Sequence, residues 1–303
     1  MPCHLRLRSD FELPPQRYPK ATIPHIQMRE ILGDSGQRFL LTTFRPPEGG
    51  PPIREFVVEP FTWGWVAIMI SEGILQGIGT QVWNTVFGDH TRDFTAFQLQ
   101  LLERIAGIVN AAVTQDAKRQ IEADLMSLQS QFRMYLNDKD EAELKPLRRM
   151  ADNIVFRAYT VRLPTVASFA IVGGLELAIL QEIHTKSKAE GDRKNVAEIA
   201  AGLWRMHGDF LVTLDQYNRS RFSDADRLPA MHGEPWGYSL DGRYVPEQYN
   251  SAGEAQQAMT AHRDREFDRL RDEILSPLFP VAEKWHDIAI KYGWSDAAAS
   301  PHA

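Results

Sequence analysis

The chain has a single cysteine, Cys3, so no disulfide within it can hold the fold. It has no basic excess: 34 Lys and Arg face 40 Asp and Glu, a formal charge of -6. A nucleic-acid surface needs concentrated positive charge, so that class of partner is excluded. Residues 1–8 carry charge, and no apolar core of a secretory signal follows them. The expectation is a protein made soluble in the producing cell. There is no His-Glu-x-x-His, no Gly-x-Ser-x-Gly and no phosphate-binding P-loop. Gly77-Ile78-Gly79 lacks both the third glycine and the preceding strand of a dinucleotide site. Glu283 and His286 form one Glu-x-x-His, where a di-iron bundle needs two copies and further glutamates. From these absences we expect no enzyme, no metal and no cofactor. No internal repeat or persistent heptad is visible.

At 303 residues, 43% of them hydrophobic, the chain can bury a sizeable core in one large or two modest domains. Residues 1–60 form an N-terminal extension dominated by proline: Pro14, Pro15, Pro19, Pro24, Pro46, Pro47, Pro51, Pro52 and Pro60. Short strands fit at 39–44 and 54–59, with a Pro- and Gly-rich loop between them. The extension reads as a small cap or as a removable pro-segment. Helical patterns dominate from 61 onward. Residues 63–77 are apolar nearly all round, as in a buried helix. Gly77, Gly79 and Gly88 then break the pattern. A helix beginning near Phe94 carries Phe97, Leu101, Leu102, Ile105, Ile108 and Val109, and another over 121–135 carries Leu125, Leu128, Phe132 and Tyr135.

Asp138 and Glu141 have capping-box-like spacing before the next helix, about 140–160. At 100° per residue, Leu144, Leu147, Ala151, Ile154, Val155 and Ala158 share one face of it. Glu141, Lys145, Arg148, Arg149 and Asp152 share the other, and Arg157 sits off both. Pro164 suits the first turn of the following helix, about 164–184. Its apolar residues wrap most of the way round, which places it at the centre of a bundle. A polar break at 186–194 contains Gly191. It precedes a helix over 196–218, an irregular insertion at 221–251, a helix over 253–277, a short terminal helix over 281–292 and a tail from 293. The expected fold is all-α: six to eight helices around a central apolar helix, with the Pro-rich extension in front.

The order of these helices resembles the helical pore-forming domain of the insecticidal bacterial δ-endotoxins (Cry toxins). The resemblance spans roughly 61–280. Gly79, Trp83, Phe87 and Gly88 look like the family's junction before its third helix. Phe97, Leu101 and Glu103 resemble the start of that helix, and Leu125, Leu128 and Tyr135 its end. The sharpest segment is Pro164 to Glu182, PTVASFAIVGGLELAILQE. The family's central fifth helix starts with proline and carries Leu-His-Leu, then Leu-Arg-Asp. Here those positions read Leu175-Glu176-Leu177 and Leu180-Gln181-Glu182. Leu278-Phe279-Pro280 resembles the end of the family's seventh helix. The family's receptor-binding β domains are not matched by these residues, so receptor and target organism stay open.

The resemblance implies a toxin-like protein, soluble at first, whose partner is the lipid membrane of a target cell. The hairpin at 140–184 would enter the bilayer and self-oligomerise. Pro164, Phe169, Leu175, Glu176, Leu177 and Leu180 would belong to the inserting helix. Glu141, Lys145, Arg148, Arg149 and Asp152 would line the pore, where ringed charges set ion preference. A solvated outer face explains the same stripe, and a non-inserting helical scaffold explains the same bundle. Glu176 reads either as a buried acid paired with an arginine or hydroxyl, or as a latch whose protonation eases insertion. Trp63, Trp65, Trp83 and Trp204 read as core residues or as interfacial anchors. Trp236, Tyr238, Tyr244 and Tyr249 make the insertion either a recognition loop or a cover packed on the bundle.

Overall fold

The computed structural model describes the backbone at 25–32, 38–45 and 56–58, residues 66, 67 and 70, and the chain over 94–227 and 235–295. The chain divides into two units, Met1–Trp65 and Val66–Ala303. The first holds an antiparallel sheet of β1 (His25–Leu32), β2 (Arg38–Arg45) and β3 (Phe56–Val58), with β2 in the middle. Leu41 lies opposite Arg29 on one side and Val57 on the other. The strands at 39–44 and 54–59 were expected; β1 was not, although Ile26 and Met28 alternate with polar Gln27 and Arg29.

The second unit is a helical bundle, as expected. Its elements are α1 (Phe94–Ile108), α2 (Gln115–Asp138), α3 (Leu144–Val161), α4 (Val166–Ser187), α5 (Glu190–Ser220), α6 (Ala252–Leu270) and α7 (Phe279–Lys291). Val66, Ala67 and Ile70, from the apolar run at 63–77, are helical and buried. Thr114 starts α2 by accepting a hydrogen bond from the Ala117 N–H at 3.2 Å. Lys139 ends it in the left-handed conformation, φ 55°. That turn corrects the expected capping pair: Asp138 is the last residue of α2, and Asp140 accepts from the Ala142 N–H at 2.9 Å instead. A 3-10 turn at Glu141–Glu143 then leads into α3.

The buried face of α3 consists of Leu144, Leu147, Ala151, Ile154, Val155 and Ala158, the set the helical period assigns. Every residue of α4 from Val166 to Glu182 is buried. α3 runs alongside it as a hairpin partner, and α1 and α5 also pack on it. The Phe169 ring meets Phe210 of α5 at 5.0 Å and Trp285 of α7, edge-on, at 5.6 Å. Gly173 makes room for this packing. A Cβ there would lie 3.0 Å from Leu203 Cδ2 and 3.3 Å from the Trp285 ring.

Two boundaries depart from the sequence reading. The break expected across 186–194 shrinks to Lys188 and Ala189. Lys188 takes the left-handed C-cap, φ 54°, and α5 begins at Glu190, with Gly191 in its first turn. Glu190 and Asp192 place negative charge at that N-terminus, where the helix dipole favours it. At the other end the chain does not stop near 277. It passes through a π turn (Arg271–Leu275) and a 3-10 turn (Ser276–Leu278) straight into α7. Pro277 and Pro280 have no N–H to donate, so a regular α-ladder cannot run through them.

The insertion at 221–251 holds two short ribbons, β4 (Asp226–Arg227) with β5 (Trp236–Gly237) and β6 (Ser239–Leu240) with β7 (Arg243–Tyr244). Ser251 then caps α6, accepting from the Glu254 N–H at 3.2 Å.

Two substitutions test this packing. Leu147 is fully buried, so Leu147→Ala should cost about 2–5 kcal/mol in denaturant unfolding. Gly173→Val should cost about 1–3 kcal/mol by overpacking, against no comparable loss at Gly202, where a Cβ meets nothing within 4 Å.

Candidate membrane-inserting hairpin

The hairpin of α3 and α4 turns at Arg162, whose backbone has φ 72° and ψ −137°. Side chains of this kind seldom adopt that conformation. Its neighbours hold it there. The Arg162 N–H donates to the Ala158 carbonyl at 3.2 Å, and the Thr165 hydroxyl donates to the carbonyls of Ala158 and Arg162. The Arg162 guanidinium lies over the Tyr159 ring, 4.3 Å from its centre. Pro164 sits in the first turn beyond, where its missing N–H costs nothing.

On the outer side of the hairpin, Glu141, Lys145, Arg149 and Asp152 are exposed and Arg148 is half-buried. Glu141 lies in the 3-10 turn before α3, and its carboxylate accepts from Lys186 Nζ at 3.1 Å, linking the open ends of the hairpin. On the inner side, Pro164, Phe169, Leu175, Glu176, Leu177 and Leu180 are all buried. The junction residues Gly79, Trp83, Phe87 and Gly88 lie outside the described residues, as do Trp63 and Trp65.

Three polar ties stitch the hairpin to its neighbours. Arg157 pairs with Asp124 of α2, which explains why it fits neither face of α3. The Tyr159 hydroxyl donates to Asp209 of α5. The Tyr135 hydroxyl of α2 donates to buried Glu182 of α4 at 2.9 Å. The sequence reading placed none of these pairs. Their partners lie 33 to 50 residues apart, beyond the reach of any helical spacing. Nearby, burial pulls the Lys139 pKa below its ordinary value, and Glu182 partly offsets this.

Glu176 has no such partner. It is 1% exposed, and its Oε1 accepts no hydrogen bond among the described residues. Among the described residues the expected pairing with an arginine or hydroxyl is not made at that oxygen. Burial pushes its pKa up to about 8, the carboxylate of Asp152 pushes the same way, and Arg148 pulls back. Both charges come from the stripe assigned to a pore lumen.

The aromatic insertion packs on α6. Tyr238 is buried, and its hydroxyl lies 3.0 Å from His262 Nδ1. Tyr249 stacks on Tyr238, with ring centres 6.2 Å apart. Arg221 clasps Asp241 and Glu266 at 2.9 and 3.1 Å. Tyr244, by contrast, is exposed. Trp204 packs half-buried against His286 and Trp294. Among the described residues no group of His, Cys, Asp or Glu is placed to hold a metal ion. Compared with protein-family models, curated proteins and solved structures, the chain matches none.

The Glu176 carboxyl makes stability depend on pH. The folded state keeps its proton up to about pH 8, whereas the unfolded chain releases it near 4.5. This contribution is therefore full below pH 4.5, falls between 4.5 and 8 and is lost above that. The slope reaches at most about 1.4 kcal/mol per pH unit. Glu176→Gln should flatten that window and raise the melting temperature at pH 7 relative to wild type, as followed by circular dichroism.

Proposed function

We propose that the protein permeabilises membranes by releasing the α3–α4 hairpin from the bundle into a lipid bilayer. One observation carries this reading. The helical stretch Leu163–Ser187, 25 residues, is long and apolar enough to cross a membrane, yet its residues from Leu163 to Glu182 are all buried within the protein. At 1.5 Å per residue such a helix is roughly 37 Å long, against a hydrocarbon core of about 30 Å. Its hairpin partner is amphipathic. The faces of α3 divide into an apolar side and the charged side of Lys145, Arg148, Arg149 and Asp152. Such a pair in lipid needs several copies to assemble, with the charged sides turned to water.

The resemblance of 164–182 to the central helix of the δ-endotoxins supports the finer reading. On it, this is a non-enzymatic, insecticidal toxin of bacterial type, soluble when made, with a target-cell membrane and copies of itself as partners. A non-inserting scaffold is the second reading. It is favoured by the burial of α4 from Val166 to Glu182 and by the ties to Asp124 and Asp209, because the core helix of a permanently soluble bundle has the same length and composition.

Dye release from liposomes separates the two. Cysteines placed by Arg157→Cys and Asp124→Cys, in a Cys3→Ser background, allow α3 to be tied to α2 with a reducible bismaleimide. Under the pore-forming reading the untied protein releases dye, the tied protein does not, and reduction restores release. Absence of release at neutral, acidic and alkaline pH, from protein shown to be folded, would sink that reading and leave the scaffold.

A further inference from the structure

Glu176 sits midway along α4, about 60° round the helix from Gly173. Its neighbours on α4 from Val166 to Glu182 are all buried. The elements packed on α4 are α1, α3, α5 and, through Trp285, α7. The charges that act on Glu176 are Asp152 and Arg148, both from α3. No charged group of α1, α5 or α7, nor Glu182 or His184 on α4 itself, acts on it among the described residues. No ion pair joins Glu176 to Arg148 among those residues, whereas Asp152 brings negative charge to the same interface. A protonated carboxyl is tolerated there as a small polar group. A carboxylate is not: it would be desolvated, without a donor on Oε1 and next to a like charge. Water can reach it only if the helices that sheathe α4 part.

We propose that the proton on Glu176 is the lock that holds α3 against α4, so that alkaline rather than acidic conditions open the hairpin. This reverses the sign of the latch expected from the sequence. Protonation does lower the cost of carrying α4 into lipid, but it also tightens the folded bundle from which α4 must leave. The lock belongs to the folded protein; its use as a trigger for insertion rests on the pore-forming reading above.

Amide hydrogen exchange of the full chain, read by mass spectrometry between pH 6 and 9 and corrected for intrinsic exchange, tests the lock. Protection in α3 and α4 should fall roughly tenfold between pH 7 and 9 in wild type. It should stay flat in Glu176→Gln. Two rim variants give a signature that a general loss of stability would not. Asp152→Asn removes a neighbouring negative charge and should move the step to lower pH. Arg148→Gln removes the opposing positive charge and should move it to higher pH. If wild type and Glu176→Gln lose protection alike, or if the two rim variants fail to shift the step in opposite directions, the lock is overturned. The rim variants keep the test decisive should Glu176→Gln fold poorly. Dye release at pH 9 is read separately: opening without release keeps the lock and removes its use as a trigger.

Discussion

A helix that is apolar on every side cannot stand in water, and the rest of the bundle follows from that constraint. α4 buries every side chain from Val166 to Glu182. To keep it dry, the surrounding helices must each turn one apolar stripe inward and one polar stripe outward. α3 does so with Leu144, Leu147, Ala151, Ile154, Val155 and Ala158, and α2 with Ile121, Leu125, Leu128, Phe132 and Tyr135. The continuation of the chain through the π turn into α7 serves the same end, because it brings Trp285 onto Phe169. Closure of the sheath depends on residues at both ends of the helical region.

The sheath also accounts for where polarity is tolerated. Glu182 is buried near the open end of the hairpin and has the Tyr135 hydroxyl as donor. Asn218 is buried under α6 and donates to the Arg263 carbonyl at 2.8 Å. Each draws its partner from a different helix and so helps to fix how the helices stand against one another. Glu176, like Gln98 of α1 and Ser168 of α4, breaks this pattern, and it alone of the three is an acid. A fold selected only for stability gains nothing from an acid at that position, where leucine or glutamine would suffice. Its cost is a reason to assign it a role.

Much of the fold is legible in the sequence because helical period and burial are local properties. The inward face of α3 and the start of α1 at Phe94 could be read from spacing alone. The central place of α4 followed from apolar residues that wrap most of the way round it. What could not be read was set by geometry between distant residues or by single turns. The end of α2 at Lys139 depends on one left-handed residue, and no local pattern marks Lys139 over Asp138. Gly191 looked like a helix break but lies in a first turn already favoured by two acids. Pro277 marked an interruption correctly, yet a π turn followed by a 3-10 turn bridges it. At the hairpin, the outward stripe was legible and the solitary state of Glu176 was not, since periodicity does not reveal whether a neighbouring helix offers a donor.

Gly173 gives the bundle an index mark. Leu203 of α5 and Trp285 of α7 seat in the notch left by its missing side chain. If α4 slid one turn along its neighbours, Phe169 or Leu177 would arrive where only a glycine fits. Sliding along the axis is therefore blocked on that flank. The notch lets α4 seat in one axial register and bars it from shearing past its neighbours like a piston.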